Sequence, residues 1–423
     1  MSMEDPEVLV HQIEKHRKSE PAFLLFSWPS MRLHEDASRW IARLARTSSR
    51  NHQRNTAYAI AYWHTYCLAA GIDYRRACSD DFSNYGDALA EVISEKTGKP
   101  LSDGTIQKRM EAVVAYYIAG EQHGWYLTAL DFAHALKCEA KNNGAAPLLH
   151  AQPISDSVRH LIPKEERAET DIKPMSQDEL ILILDHLERS EEDNDPSNRL
   201  QRDRIVAEWM AYVGLRLSEI VGAEDHQGLS VYQFAALHVD PKKPFDHSII
   251  RVLGKRAKYR NVAVPNWLID KTKKYISGER AACVSHIGNP TSKLIVSHES
   301  ARKPNRGMPI TGRWYEYLFA RACLKANMIA IDETRDATTN RQLQVKKARH
   351  SPHDLRHTYA VMTYFAERER GNSEPWKPIQ AQLGHRQLST TIDTYLSYVS
   401  VMNEWGRDLR RMSVRELAGV SLA

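Results

Sequence analysis

The segment Ser351-Pro352-His353-Asp354-Leu355-Arg356-His357 combines a helix start with side chains that can act on an anion. Ser at the cap, Pro at the first helical position and Asp354 in the first turn all suit the positive end of a helix. His353 and Arg356, three apart, then share one face close to that end, a geometry fit for a phosphate. Taken alone, an H-x-x-R pair also fits a satisfied histidine beside a surface arginine. The four-residue spacing of His353 and His357 admits zinc as well, as in H-E-x-x-H, but the intervening residue is Asp354 and no third ligand emerges from the pattern. Downstream, Leu383-Gly384-His385 reads as a helix C-cap and tight turn, and Ser389 as the N-cap of a further helix, which carries Tyr395 ten residues after His385. Upstream, Gly214-Leu215-Arg216-Leu217-Ser218-Glu219 interrupts an apolar helical pattern over residues 205–213. An arginine in such a setting is costly to bury unless an acid or an anion meets it. Between these motifs, the β-prone runs 249–253 and 261–264 flank a Gly-Lys-Arg-Ala-Lys turn that contains Lys255, which predicts a hairpin.

In order and spacing these motifs resemble the tyrosine recombinase family of the phage-integrase type. The resemblance carries Arg216 onto the family's first arginine, in a G-L-R-x-S-E motif with Glu219 as a supporting acid. Lys255 falls on the catalytic lysine of a hairpin turn, with Lys258 and Arg260 as flanking basic residues and expected DNA contacts. His353 and Arg356 fall on the H-x-x-R box, His385 on the L-G-H box and Tyr395 on the nucleophile. Relatives place that tyrosine nine or ten residues after the histidine; residue 394 is Thr, which leaves Tyr395 as the candidate ahead of Tyr398. The likeness extends to Leu101-Ser102-Asp103-Gly104-Thr105-Ile106 before a helix, similar to the family's DNA-clamping core-binding domain, and so runs from about residue 35 to 423. The polar stretch 332–349, a loop or short polar hairpin, departs from it as an insertion, and residues 1–34 have no counterpart.

The fold implied is mainly α with a small β-hairpin or sheet (α+β). Residues 1–34 are expected as an N-terminal extension, with a short helical stretch near residues 8–18 and an apolar segment at 23–28. Helically spaced apolar residues (Ala57, Ile60, Ala61, His64, Leu68; Met110, Val113, Val114, Tyr117, Ile118) predict a helical domain over 35–150. A Pro-containing linker over 151–174 follows, and the catalytic domain with its tail occupies 175–423, opening on the capping box Ser176-Gln-Asp-Glu179.

With 42% hydrophobic and 26% charged residues the chain is not disordered, and five scattered cysteines (Cys67, Cys78, Cys138, Cys283, Cys323) fit neither a disulfide framework nor a thiolate metal site. An acidic start and the absence of a long apolar run predict a cytoplasmic protein without a membrane span. The net charge of +5 is small, but residues 1–172 hold 20 Lys+Arg against 23 Asp+Glu, and residues 173–423 hold 38 against 30. One basic exception in the first part is Arg39, Arg43, Arg46, Arg50 and Arg54, with no acid between Asp36 and Asp73. On a single helix they form a stripe, either a solvated face or a set of phosphate contacts; Arg43, Arg46, Arg50 and Arg54 are taken as candidate DNA contacts.

The chemistry implied is strand breakage without hydrolysis. Tyr395 attacks a phosphodiester to give a 3′-phosphotyrosyl bond, Arg216 and Arg356 present planar forks to the phosphate oxygens, and by resemblance Lys255 protonates the leaving 5′-oxygen. His353 and His385 bond the phosphate or handle the tyrosine proton, and neither metal, ATP nor another cofactor is required. The expected partners are a double-stranded DNA recombination site and further copies of the chain, as a tetramer that exchanges C-terminal segments; residues 412–417 begin a short helix with one apolar face. Two other readings share much of this inventory, a type IB topoisomerase-like strand transferase and a DNA-binding relative without activity.

Overall fold

The computed structural model describes residues 7–13, 22–94, 97–125, 162, 172–188, 201–223, 227–254, 258–335 and 341–405. The chain forms two compact units, Met1–Ala168 with Glu333–Leu343, and Glu169–Asp332 with Gln344–Ala423.

The first unit runs β1 (Glu7–Gln12), β2 (Phe23–Trp28), β3 (Arg32–Leu33), α1 (Glu35–Leu44), α2 (Arg50–Ala69), α3 (Ser79–Glu91) and α4 (Asp103–Gln122). The helix expected near residues 8–18 is corrected over its described part: residues 8–12 belong to β1, which pairs antiparallel with β2 from Glu7↔Trp28 to Gln12↔Phe23. Val8 and Val10 favour the pleated surface, and a partner strand of apolar residues outweighs a weak helical period. Nor does residue 34 mark a break in packing. Val8, Phe23 and Leu25 enter the same core as Ile41, Trp63 and Tyr117, because so small a sheet is stable only when it packs on something else.

The arginine stripe is divided as well. After α1 the Ser48 hydroxyl donates back to the Leu44 carbonyl at 2.6 Å, and Ser49 restarts the chain as the cap of α2, accepting from the His52 amide at 3.3 Å. Serines compete for backbone groups in this way and end helices. Arg39 and Arg43 therefore lie on α1, Arg46 in the turn, and Arg50 and Arg54 on α2.

After α4 the chain runs α5 (Gln177–Glu188), α6 (Arg202–Val213), α7 (Leu217–Val221), α8 (Tyr232–Ala235), β4 (His247–Leu253), β5 (Tyr259–Pro265), α9 (Asn266–Ser277), α10 (Glu279–Val284), α11 (Gly312–Lys325), β6 (Ile329–Arg335), β7 (Gln342–Ala348), α12 (Pro352–Glu369), α13 (Trp376–Leu383) and α14 (Leu388–Trp405), all in the second unit except the end of β6 from Glu333 and the start of β7 to Leu343. Helix α6 is the core of this unit, buried at every residue except Arg204, with α5, α9 and α12 packed around it. Ser176 and Glu179 form the reciprocal cap that starts α5. Strands β4 and β5 make the predicted hairpin, in register from His247↔Pro265 to Leu253↔Tyr259. The polar stretch 332–349 contributes to a second hairpin, β6–β7. Most of the expected linker and the segment 412–417 lie outside the described residues. Among the described residues no helix is long and apolar enough to cross a membrane.

Candidate active site

Helix α6 ends on Gly214, whose φ of +71° is left-handed, and a Cβ there would lie 2.6 Å from a ring carbon of Tyr359. Only glycine meets both demands. The turn aims the Gly214 carbonyl at Arg356, which donates Nη1 to it. Helix α13 ends in the same way at Gly384, φ +69°, and the Leu383 carbonyl accepts from Arg356 Nη2 at 2.7 Å. The two helices thus offer their negative ends to one guanidinium that is 1% exposed.

A carboxylate completes the frame. Glu219, in the first turn of α7, accepts from the Arg216 amide at 2.8 Å and from Arg216 Nη1 at 3.2 Å. It also takes a bidentate pair from Arg260, at 2.5 and 2.9 Å, and stands 4.0 Å from Arg356 Nη1. Burial resists its ionisation, but the hydrogen bonds and charge of Arg260, the Arg216 amide and the Arg356 charge outweigh that and hold its pKa below the usual carboxylate value. Three guanidinium groups around one carboxylate leave an excess of positive charge in a largely buried place. Burial first, and Arg216 second, push the Arg356 pKa down to about 9, with Glu219 opposing them. An anion seated against Arg216 and Arg356 would relieve both stresses.

The histidines and the tyrosine line this frame. His385 Nε2 meets Arg356 Nη2 at 3.3 Å, which assigns it as an acceptor and leaves Nδ1–H to donate to Thr391 at 2.9 Å. Burial, then the charges of Arg356, Arg216 and Arg260, lower its pKa to about 4, so the ring is neutral at pH 7. His353 is exposed on the first turn of α12, and desolvation, Arg356 and Arg216 lower its pKa too. Tyr395, 1% exposed, packs among Val361, Leu383 and Val399. Burial raises its pKa to about 12 against the opposing pull of Arg356 and Arg216. Its hydroxyl lies 3.1 Å from His357 Nδ1. His353 and His357, the pair with zinc-like spacing, meet edge to face at 4.7 Å. Among the described residues no group of three or more His, Cys, Asp or Glu is placed to hold a metal ion.

Arg216, Glu219, His353, Arg356, His385 and Tyr395 therefore come together in one unit. Lys255 lies outside the described residues, though its turn is rooted at the cluster: a Cβ on Gly254 would stand 2.9 Å from Arg260 Nη1 and 3.3 Å from Glu219 Oε1. Lys258 is exposed beside it. Arg260, expected as a DNA contact, is corrected to an internal brace, since Glu219 and the Gln382 carbonyl, 3.1 Å from its Nε, take up its fork. Arg43, Arg46, Arg50 and Arg54 belong to the other unit; Arg43 and Arg46 are exposed, Arg43 stands over the Trp125 ring at 6.0 Å, and Arg54 over the Phe23 ring at 5.8 Å. Sequence reasoning missed three participants: His357 as the phenol's partner, Thr391 as the orienter of His385, and Gln382, which joins α6 to β5 through the Val213 and Ala263 carbonyls. Only His357 had a signal, its place one residue after Arg356.

A mainly helical unit with a small hairpin, a buried arginine cluster and a helix-borne tyrosine defines a class, and comparison with known proteins agrees. Residues 173–399 match the phage integrase family, and the chain belongs to that family, the tyrosine recombinases. The tyrosine recombinase XerD of Lacticaseibacillus casei is 28% identical over 199 residues, which span 46% of this chain and about half, 51%, of that protein. Among solved structures, the XerH site-specific recombinase bound to a palindromic difH substrate, in a post-cleavage complex, is 14% identical with a TM-score of 0.54 over 88% of this chain and 83% of its own. The Tn1549 transposon integrase in complex with a circular-intermediate DNA is 15% identical, TM-score 0.50, over 88% and 98%. These likenesses concern the fold.

Proposed function

We propose that the chain is a site-specific DNA recombinase that breaks and rejoins strands through a 3′-phosphotyrosyl intermediate, in the service of a mobile element's integration, excision or transposition. The observation that carries this reading is the arginine frame, with Arg216 and Arg356 held around Glu219 and both acting electrostatically on Tyr395. In this reading the scissile phosphate sits against the two arginines, whose fixed positive charge meets the charge that grows on its oxygens. His385, already oriented by Thr391, adds a neutral ring at the same edge, and His353 stands at the exposed rim. Lys255 supplies the proton to the 5′-oxygen, and Tyr395 is the nucleophile. Exposed Lys258 and the arginines Arg43, Arg46, Arg50 and Arg54 contact DNA backbone, and residues 35–150 act as the core-binding domain. Protomers assemble as a tetramer on DNA, with C-terminal segments passed between neighbours.

The test is a nicked suicide duplex, which lets the severed strand diffuse away and traps the covalent adduct. Wild-type protein gives a shifted band in denaturing gels, with or without EDTA. Tyr395→Phe binds the same DNA and gives none. An adduct with the Phe variant would move the nucleophile to Tyr398 and overturn the assignment.

A further inference from the structure

Resting on the recombinase reading, we infer that His357 is a further catalytic residue, the base whose Nδ1 takes the phenol proton of Tyr395 as the tyrosyl oxygen bonds to phosphorus. The Tyr395 hydroxyl is buried and has one hydrogen-bond partner among the described residues, His357 Nδ1 at 3.1 Å. A buried O–H must point at an acceptor, and the ring nitrogen is the acceptor in reach, so the phenol donates and His357 carries its own hydrogen on Nε2. The other histidines are placed differently. Both nitrogens of His385 are engaged, by Arg356 and Thr391, and His353 is exposed at the mouth with its ring packed edge-on against His357. Position on α12 explains the arrangement: His357 follows Arg356 directly, so the helix that holds the phosphate's arginine also holds the nucleophile's partner.

The step balances. The Tyr395 Oη–P bond forms as the P–O5′ bond breaks, the phenol proton passes to His357, and the 5′-oxygen takes a proton from a separate cationic acid, the role proposed for Lys255. In rejoining, the 5′-hydroxyl returns its proton to that acid and His357 returns its own to the departing phenolate. Before DNA arrives the transfer is opposed at both ends: burial lowers the His357 pKa to about 4, with His353 and Arg356 adding to it against Asp354, and burial raises the Tyr395 pKa to about 12. The bound phosphate's negative charge favours the imidazolium, which ties activation of the nucleophile to occupancy of the site.

The probe is a nicked duplex population drawn from a random-sequence library by retention on the wild-type protein. Single-turnover adduct formation by His357→Ala is expected to slow by about 10²- to 10⁴-fold, the ordinary contribution of a positioned base, with partial recovery when imidazole is added. His357→Asn, whose amide oxygen accepts the phenol's hydrogen bond but cannot take its proton, should be equally slow, while both variants retain DNA in gel shifts. It also carries the test alone if the Ala variant does not fold. Wild-type rates in both variants would overturn the inference. So would full activity in the Asn variant alone, since that would reduce His357 to a hydrogen-bond acceptor. Absence of any wild-type adduct sinks the recombinase reading itself, and is thereby distinguished from failure of the histidine.

Discussion

Each unit buries polar groups at its centre, and they do so in opposite ways. In the first, Trp63 donates to the Tyr117 hydroxyl at 2.8 Å, which donates to the Tyr74 carbonyl at 2.6 Å, and the chain of bonds involves neutral groups only. The charge pair that reaches its buried part, Asp36 with Arg75 at 2.9 Å, includes an arginine whose side chain is 54% exposed. In the second unit three arginines converge on Glu219, and one of them is almost wholly enclosed. Neutral networks of the first kind select a packing and then do nothing further. A crowded set of like charges destabilises the empty protein and is tolerable where a negative partner is to be bound.

The comparison would break most visibly at Glu219. Glu219→Gln leaves three guanidinium groups without their shared countercharge and is expected to cost about 3 to 5 kcal/mol of unfolding free energy, the range for removing one partner of a buried ion pair. Denaturant titration checks this, and inorganic phosphate should recover part of the loss. Next in size is Arg356→Lys. A point charge cannot span the Gly214 and Leu383 carbonyls while facing a phosphate, so adduct formation should fall by about 10²- to 10³-fold with little change in DNA retention. Tyr117→Phe, in the neutral network, should cost about 1 to 3 kcal/mol by removing the buried hydroxyl that bridges the Trp63 N–H and the Tyr74 carbonyl. Its adduct formation per folded molecule should be unchanged. A cleavage defect as large as that of Arg356→Lys would erase the distinction drawn between the units.

A pH dependence of stability is also expected. His357 and His385 both have folded-state values of about 4 against an ordinary 6.5, so below 6.5 the unfolded chain binds protons that the folded chain refuses. Their contribution is fully present above pH 6.5 and declines as pH falls toward 4. Urea midpoints measured across that window should drop on acidification, and drop less in a variant carrying both His357→Asn and His385→Asn.

Much of the site could be read before any coordinates because the chemistry resides in residue identity and the placement in short-range signals. Ser351, Pro352 and Asp354 announce the start of α12, Gly214 and Gly384 the ends of α6 and α13, and the reactive side chains are counted from those caps. The failures have a different origin. Backbone carbonyls of Gly214 and Leu383 have no signature in sequence, so the seat of Arg356 was invisible, and Arg260 looked like a surface cation because its partner stands forty-one residues away. Strand β1 was misread because three apolar residues, Val8, Leu9 and Val10, are too few to fix a period, and its partner β2, not its own residues, decides the matter. The arginine stripe failed on Ser48 and Ser49, two small residues that end one helix and begin another.

The turn between α13 and α14 moves as a single mechanical part. Leu383 and His385 are two residues apart, both accept from the same Nη2 of Arg356, and three residues further on the chain enters α14, which carries Tyr395. A displacement of that turn removes two of Arg356's acceptors and shifts the base of the nucleophile's helix in a single movement. The aim of the arginine and the reach of the tyrosine are therefore one degree of freedom: an error in one is shared by the other, and any contact that steadies α14 aligns both.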